Sequence, residues 1–347
     1  HRYAGLESFV LLKFVLHDII RFAMKKKTKK KTLRIGIYVS KPASSSSGET
    51  TKQSVYKKKS SLGSKMLAKT VREMGYKPVF YYGQDCQLLF TGKEATILYK
   101  GKPIKGCDVL ISRMGGSIGM EADFATLKQF ELMNMPVVNR YLPVSRAKNK
   151  LRTMQILTKG KVPVPNTVVV RHFEYLDKAI KQVGGYPIIV KSAFGAMGKS
   201  VAIIESRRSL FSALDILWRF GQTNILLIQE YVAESDNSDY RAFVIGEKVV
   251  AAMKRTAKKG EFRSNVHQGG DFEEVELTPE EKKIAVRSTK LLGLDYSGVD
   301  IMRSSKGPVV IEVNSNPGLA GINSVASVDV PVSLLKYSID KYKKSQT

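Results

Sequence analysis

The chain has 347 residues, and its 57 lysines and arginines outnumber 31 aspartates and glutamates to give a net charge of +26. This length predicts two or three domains, and 43% hydrophobic with 25% charged residues excludes a wholly disordered chain. Two cysteines exclude a disulfide scaffold and a cysteine-rich metal site, and they predict a reducing compartment, which we expect to be the cytoplasm. No apolar run is long enough to predict a transmembrane segment.

The positive charge is concentrated near the start of the chain. The first 72 residues carry +15 and the remaining 275 only +11. We predict that residues 1–31 form a basic N-terminal extension that is disordered or in part non-native, with Met24 as a candidate native start. The lysine run at 25–31 is typical of a solvated tail, and attraction to nucleic acid or an anionic membrane stays open as the alternative.

Residues 32–145 have the pattern of an α/β domain. Alternating apolar residues predict a strand at 33–39, which a mobile Ser/Lys-rich loop at 41–61 and a helix at 62–74 follow. The pattern continues with strands at about 77–82, 108–112 and 136–138 and a helix at about 120–133. This alternation predicts a mostly parallel sheet with helices on its faces.

Two further α+β units follow, at 146–230 and 231–341. The first is predicted to start with a helix at 147–159, and its later elements are strands at 167–170, 186–191, 201–204 and 225–229 and helices at 174–183 and 209–219. In the second, Gly246-Glu247 predicts a hairpin between strands 241–245 and 248–254. Thr278, Pro279 and Glu281 then predict a capped helix start.

The loop SAFGAMGKS at 192–200 is the first candidate for phosphate binding. It is not a Walker P-loop, because Ala193 stands where that motif needs glycine and no helix follows directly. A glycine-containing hairpin can still cover phosphates with backbone N–H groups, although an ordinary turn is the alternative. Lys191 ends the apolar strand before it, where a buried ammonium needs either a salt bridge or a phosphate.

The stretch DIMRSSKGPVVIEVNSNPG contains the best candidate for a metal site. A turn centred near Lys306 places Asp300 opposite Glu312, and Asn314 shares the face of Glu312. No basic residue is expected among them, so the two carboxylates should repel each other unless a cation lies between them. Hard oxygen ligands of this kind suit Mg²⁺ or Mn²⁺, with a solvated polar face as the alternative.

Polar residues also follow the strand that ends at Gln229. The sequence Glu230-Tyr231-Val232 at a domain crossing is suited to reading an adenine edge, and Asp239 to holding ribose hydroxyls. The cations nearby suit carboxylate or phosphoryl charge; they are Arg241, Lys254, Arg255 and Arg263.

From about Leu33 to Tyr337 the chain closely resembles the ATP-grasp glutamate ligases of the RimK type. The matching stretches are RAKNKLRTMQIL (146–157), GGYPIIVKSAFGAMGKSV (184–201), QEYVAESDNSDYRAFVIGEKVVAAMKR (229–255), GEFRSNVHQGG (260–270) and GVDIMRSSKGPVVIEVNSNPGLAGI (298–322). The resemblance implies an ATP-grasp fold, in which two α+β subdomains grip ATP, preceded by an α/β pre-ATP-grasp domain.

The resemblance also implies roles for individual residues. The ATP-binding set comprises Lys150, Lys191, Gly195, Gly198, Glu230, Tyr231, Val232, Asp239, Arg263, Ser264 and Asn265. The metal ligands are Asp300, Glu312 and Asn314, which would hold Mg²⁺ or Mn²⁺, expected as two ions. The catalytic or substrate-binding set comprises Arg241, Arg255 and Asn265.

The implied reaction is ATP-driven ligation of glutamate to a carboxylate, expected to be the C-terminus of a small-subunit ribosomal protein, through an acyl phosphate. Lys254 stands where the family pattern is acidic, so a cofactor or a carrier protein stays open as the acceptor. A basic module that binds nucleic acid or the ribosome, and a noncatalytic nucleotide-binding scaffold, are the alternatives from other classes. We also expect a homo-oligomer.

Overall fold

The computed structural model describes residues 32–40, 61–115, 120–192, 201–220, 225–235, 238–257 and 271–347. The basic extension and all but the last residue of the 41–61 loop lie outside these ranges. So do five of the predicted site residues, which are Gly195, Gly198, Arg263, Ser264 and Asn265. Within the described ranges, every helix is too short or too polar to cross a bilayer.

The N-terminal part is built on a four-stranded parallel sheet, as predicted. Its strands have the order β2-β1-β6-β7, and helices α1 and α2 connect them. Between β2 and β6 the chain forms a separate antiparallel sheet that the sequence analysis missed. The elements, in chain order, are β1 (Arg34–Val39), α1 (Leu62–Glu73), β2 (Lys77–Tyr82), β3 (Cys86–Phe90), β4 (Ala95–Tyr99), β5 (Lys102–Pro103), β6 (Val109–Ser112), α2 (Met120–Leu132) and β7 (Val137–Val138).

The two cysteines are both unpaired, in agreement with the prediction. Cys107 lies just before β6, and burial raises the pKa of both thiols to about 12. Neither thiol is therefore activated for nucleophilic chemistry at neutral pH.

The predicted single helix at 147–159 is wrong in one respect, because the chain breaks at Asn149. Helix α3 (Tyr141–Lys148) ends there and α4 (Lys150–Lys159) begins there, with the Asn149 side chain accepting a hydrogen bond from the Arg152 N–H. An asparagine with extended backbone angles is a good N-cap, and this local bond competes with helix continuation. The break puts Lys150 in the first turn of α4.

A second, antiparallel sheet follows, with the strand order β10-β9-β11-β8. Its core consists of apolar side chains from one face of these strands and from two helices. The elements are β8 (Thr167–Val170), α5 (Leu176–Gln182), β9 (Ile188–Ser192), β10 (Val201–Ile204), α6 (Arg207–Phe220) and β11 (Leu226–Glu230). Lys191 in β9 lies opposite Leu227 of β11.

The third sheet has the order β14-β13-β12-β15-β16 and packs on helix α7. The elements are β12 (Ser238–Ile245), β13 (Lys248–Thr256), β14 (Asp271–Glu274), α7 (Pro279–Leu292), β15 (Tyr296–Ser304) and β16 (Gly307–Asn314). The hairpin at Gly246-Glu247 is confirmed, since Ile245 pairs with Lys248 and Gly246 has a φ of 59°. Only glycine adopts that φ without strain.

The capping box of α7 is also confirmed. Thr278 accepts from the N–H of Glu281 at 3.2 Å, and the Glu281 carboxylate accepts from the N–H of Thr278 at 2.8 Å. Glu281 also forms an ion pair with Arg303 at 2.6 Å, which joins the helix start to β15.

We expect Thr278→Ala to lower the free energy of unfolding by about 1 kcal/mol, because the first turn loses the hydrogen bond from its cap. Thr278→Ser keeps the hydroxyl and should keep most of the stability. Urea unfolding of the three proteins measures both effects. An equal loss in the serine variant would contradict the capping assignment.

The C-terminal residues return to the N-terminal sheet. Helix α8 (Leu319–Asn323) and helix α9 (Val330–Lys344), which the sequence analysis did not predict, pack against α1. The buried Asn139, which follows β7, also connects the N-terminal sheet to the C-terminal part of the chain. Its amide donates to the carbonyls of Tyr296 and Ser315 at 2.8 and 3.0 Å. The loop after β16 is therefore fixed to the end of β7.

Candidate functional site

The central feature of the site is a buried ionic network on the third sheet. Asp300 is 2% exposed, and Arg241 donates to its two carboxylate oxygens at 2.7 Å each. Arg255, also 2% exposed, contacts the same carboxylate at 3.1 Å and Asp239 at 2.6 Å. The network follows from strand pairing, because Arg241 lies opposite Asp300 and Asp239 lies opposite Arg255.

The charges of this network favour ionisation of Asp300. Burial alone would raise the pKa of this carboxyl, but the Arg241 and Arg255 guanidinium groups outweigh burial and hold the pKa below 3.8. The buried Arg255 and the partly buried Arg241 thus face two buried aspartates. Asp239, predicted as a ribose contact, supports Arg255 in this arrangement, and its contact with ribose stays a prediction.

Glu312 lies directly opposite Asp300, as the sequence predicts. The turn has only two residues between Ser304 and Gly307, and a bulge after Asp300 restores the expected register. The bulge changes the faces of β16, so that Val310 and Val313 are the buried residues of this strand. A strict alternation along this strand would bury Val309, Ile311 and Val313 together, but Val309 and Ile311 are only partly buried.

The expectation that no basic residue lies among these carboxylates is also wrong. Arg241 and Arg255 bind Asp300, and the Lys150 ammonium lies 3.6 Å from Glu312. The two carboxylates are each compensated by cations from other elements, which the hairpin sequence alone does not contain. Repulsion between them is consequently weak.

The donor set suits a divalent cation of the Mg²⁺ type. Asp300, Glu312 and Asn314 provide two carboxylates and an amide oxygen, and the Asn314 amide already contacts Asp300 at 3.2 Å. The described residues contain no group of three or more His, Cys, Asp and Glu side chains suited to a metal. A cation here would therefore need further oxygens, such as those of a nucleotide phosphate, and would share Asp300 with Arg241.

Two lysines face Glu312 from the other units. A small pocket is lined by Lys150 of α4, Lys191 and Gln229 of the second sheet, and Glu312 of the third. The Lys191 ammonium donates to the Gln229 side chain at 2.6 Å, and Gln229 in turn donates to Thr167 at 2.8 Å. The hydrogen-bond partner of Lys191 is thus a neutral amide. It is not the carboxylate of a salt bridge, which the sequence analysis kept open as the alternative.

Burial makes Lys191 a weak base. Desolvation lowers the pKa of this ammonium to about 8, while Glu312 raises it and Lys150 lowers it further. Lys148, the last residue of α3, behaves in the same way, since burial lowers its pKa to about 8. Two desolvated ammonium groups near a carboxylate favour a polyanionic ligand such as a phosphate chain.

The segment that begins at the end of β11 is held by local hydrogen bonds. The Glu230 carboxylate accepts from the Asn166 N–H at 3.0 Å, and Val232 is buried. The Val232 carbonyl accepts from the Ser235 hydroxyl at 2.9 Å. Their role in adenine binding stays a prediction.

The sequence analysis missed three buried polar residues at or beside this site. Gln229 fixes Lys191, Lys148 adds a second buried ammonium, and Arg113 lies at the end of β6. A signal for the last was present, since a charged residue directly follows the apolar strand VLIS. Lys254, the departure from the family pattern, lies 3.9 Å from Glu273 of β14.

Comparison with known proteins matches both parts of the chain to one family. The sequence model of the RimK-like ATP-grasp domain matches residues 147–338, and that of the RimK PreATP-grasp domain matches residues 55–142. A protein of Thioalkalivibrio sulfidiphilus named probable alpha-L-glutamate ligase is 44% identical over 252 residues, which are 73% of this chain and 83% of that protein. A protein of the same name from Methanococcoides burtonii is 37% identical over 274 residues, covering 79% and 90%.

Solved structures share the fold at lower identity. A RimK domain ATP-grasp protein from Sphaerobacter thermophilus has a TM-score of 0.65 at 18% identity, covering 88% of this chain and 99% of that one. The D-alanine–D-alanine ligase of Bacillus anthracis complexed with ATP has a TM-score of 0.64 at 17% identity, covering 90% and 98%. The predicted fold is confirmed.

Proposed function

The chain belongs to the RimK-like ATP-grasp family of ATP-dependent ligases that form amide bonds, and on that premise we propose that it joins glutamate to a carboxylate acceptor through an acyl phosphate. The acceptor we propose is the C-terminus of a small-subunit ribosomal protein. Relatives named as glutamate ligases support the amino acid. The net charge of +26 suits a protein that meets the anionic ribosome.

One observation carries the proposal. The pocket lined by Lys150, Lys191 and Glu312 brings two cations, one from α4 and one from the second sheet, against a carboxylate of the third sheet. An ATP phosphate chain needs both, namely ammonium groups to bind it and carboxylates to hold the cation that accompanies it. Separately, either half of this arrangement would be an ordinary ion pair.

The reaction consists of two displacements. A carboxylate oxygen of the acceptor attacks the γ-phosphorus, the bond from that phosphorus to the β,γ-bridging oxygen breaks, and ADP leaves. The glutamate amine then attacks the acyl carbon, the bond from that carbon to the phosphate oxygen breaks, and phosphate leaves as the nitrogen loses a proton. Bound divalent cations would supply neutralisation of phosphate charge.

The protein's own residues perform the positioning. Lys150 and Lys191 are placed to bind phosphate oxygens, and Gln229 fixes the Lys191 ammonium for that contact. Arg241 and Arg255 are rigid because Asp300 and Asp239 hold them. Such fixed cations stabilise developing phosphoryl or carboxylate charge without reorganising.

Incubation with ATP, Mg²⁺, glutamate and candidate acceptors, followed by mass spectrometry, tests the proposal. We expect an acceptor to gain the mass of one or more glutamyl residues only when ATP is present. Full-length protein that turns over no ATP, but binds RNA in a salt-sensitive way that deletion of residues 1–31 abolishes, would favour the nucleic-acid-binding alternative.

We expect nucleotide affinity to fall as the pH rises through about 8, because Lys191 then loses the proton that makes it a phosphate ligand. Lys191→Met should weaken binding of an ATP analogue at pH 7 by roughly 10- to 100-fold. Calorimetry from pH 6 to 10 measures both effects. Lys148→Met serves as the control, because Lys148 titrates in the same range.

The same pKa predicts a stability effect of definite sign. The Lys191 ammonium is less basic in the folded than in the unfolded chain, so the unfolded chain binds more protons between about pH 8 and 10.5 and wild-type stability rises across this window. Lys191→Met should reduce that rise. A wild-type affinity that stays constant to pH 10 would contradict both predictions.

A further inference from the structure

A buried arginine lies outside the ionic network already described. Arg113 directly follows β6 and is 4% exposed. Its Nη2 donates to the Pro317 carbonyl at 3.0 Å, but Nε and Nη1 have no hydrogen-bond partner among the described residues. A guanidinium stays charged at any physiological pH, so leaving buried donors unpaired is costly. Such a group needs an explanation, and an anionic ligand is one.

The position of Arg113 in the sheet also favours a ligand. In the order β2-β1-β6-β7 the chain leaves β1 towards β2 on one side and returns to β6 on the other. Open parallel sheets bind ligands outside the carboxyl ends of the two strands where the order reverses in this way. The loops after these strands meet at that point, where the Ser40 hydroxyl contacts both the N–H and the carbonyl of Gly115 at 2.8 Å.

The surroundings of this guanidinium are positive on two sides. Gly63 and Ser64 in the first turn of the 12-residue helix α1 are buried, and a Cβ at Gly63 would lie 3.4 Å from the Arg113 Nη2. The first-turn N–H groups of a helix carry partial positive charge. Arg113 also acts on the buried Lys148, whose pKa burial lowers most and Arg113 lowers further.

Few negative charges oppose these cations. Asp123 accepts a hydrogen bond from the Tyr38 hydroxyl, and Glu312 is in the ion pair with Lys150. The Tyr296 hydroxyl lies near the guanidinium but donates to the Ser112 carbonyl at 2.5 Å. Hence none of these groups gives Arg113 a carboxylate partner.

The loop after β16 adds groups of a different kind. The Ser315 hydroxyl and the Asn316 Oδ1 are buried and have no hydrogen-bond partner among the described residues. A Cβ at Gly115 would lie 3.6 Å from the Asn316 amide nitrogen, which places this side chain beside the loop that carries Arg113. Free acceptor oxygens near a free guanidinium match a ligand that has both an ammonium and a carboxylate group.

We propose that Arg113 binds a carboxylate of the free amino-acid substrate, in a subsite between the ends of β1 and β6 and the loop after β16. The inference rests on the proposed ligation of glutamate and assigns the place where that glutamate is held. Ser315 and Asn316 directly follow Asn314 in the chain, so the subsite lies next to the candidate metal site. Arg113 is then a specificity-determining residue for the amino acid.

Binding of L-glutamate to the full chain, measured by calorimetry with Mg²⁺ and a non-hydrolysable ATP analogue present, tests the inference. We expect Arg113→Met to weaken glutamate binding about 10- to 100-fold, the loss of charge-assisted hydrogen bonds, and to change the affinity for the analogue less than about twofold. Its melting temperature should equal or exceed that of the wild type, because a buried cation with unpaired donors is removed. Arg113→Lys should bind glutamate with intermediate affinity.

Arg303→Met is the matched control. Unlike Arg113, this arginine forms an ion pair with a buried carboxylate, that of Glu281, and it lies outside the subsite. The control should lower the melting temperature and leave glutamate affinity unchanged. Steady-state KM values for glutamate and for the acceptor found by mass spectrometry then identify which carboxylate is affected.

The outcomes separate the inference from the function on which it rests. Ligation that proceeds in Arg113→Met with unchanged glutamate affinity and a lowered melting temperature makes Arg113 a structural residue and overturns the inference alone. A rise confined to the KM for the acceptor also overturns it. Wild-type protein that binds nucleotide but neither binds nor ligates glutamate contradicts the proposed function itself.

Discussion

Asp300→Asn should lower the free energy of unfolding by about 3–5 kcal/mol and reduce ligation at least about 100-fold. The carboxylate is 2% exposed and compensates Arg241 and Arg255 at distances of 2.7 and 3.1 Å. Removing its charge leaves two guanidinium groups to the single carboxylate of Asp239, and a buried charge without compensation is strongly destabilising. Urea unfolding and the glutamyl-transfer assay measure the two losses.

The double variant Asp300→Asn with Arg241→Met is the control for this prediction. It also removes the Arg241 guanidinium, whose hydrogen bonds to Asp300 are lost in the single variant. It should therefore recover part of the stability while ligation stays reduced. The direction in which stability changes with pH also follows. The Asp300 carboxyl, whose pKa in the folded protein is held below 3.8, stabilises the fold above that pH, and this stabilisation is lost on acidification. A single variant as stable as the wild type would contradict the ionic network.

Glu312→Gln should affect activity but hardly stability. Ligation should fall about 100-fold, while the free energy of unfolding should change by less than about 1 kcal/mol. The Glu312 side chain is 41% exposed, and the Lys150 ammonium lies 3.6 Å away. An ion pair of that exposure contributes little stability, whereas a metal ligand contributes to every turnover. Stabilisation of the protein by Mg²⁺ and ATP together should disappear in the variant.

A second effect of Glu312→Gln distinguishes this account from simple repulsion between two carboxylates. Because Glu312 raises the pKa of Lys191, its replacement should move the pH at which nucleotide affinity falls to a value below about 8. No stabilisation of the metal-free protein is expected, since Asp300 is already compensated. A variant that is clearly more stable without metal, or that ligates at the wild-type rate, would remove Glu312 from the site.

The sequence predicts those features that neighbouring residues determine. The capping box at Thr278 and the Gly246-Glu247 turn depend on local hydrogen bonds and backbone angles, and both are confirmed. The pairing of Asp300 with Glu312 is also confirmed, although through a two-residue turn and a bulge whose effects compensate each other. Short-range geometry was therefore sufficient for the centre of the candidate metal site.

The features that the sequence could not predict arise from distant pairing. Arg241 reaches Asp300 because β12 pairs with β15, across 59 residues of chain. Lys150 meets Glu312 because α4, the second sheet and the third sheet share one pocket. The break at Asn149 was missed because the apolar pattern continues through it, while the cap is a single side-chain hydrogen bond.

The fate of the acceptor's carboxylate oxygen tests the central claim most directly. An acceptor labelled with ¹⁸O in its reactive carboxylate should transfer one labelled oxygen to inorganic phosphate for each glutamyl bond formed. The reason is that the oxygen that attacks the γ-phosphorus leaves with the phosphate when the amine displaces it. Ligation that releases only unlabelled phosphate would contradict the acyl phosphate and the account built on it, because the carboxylate oxygen lost on amide formation would then have left in another product.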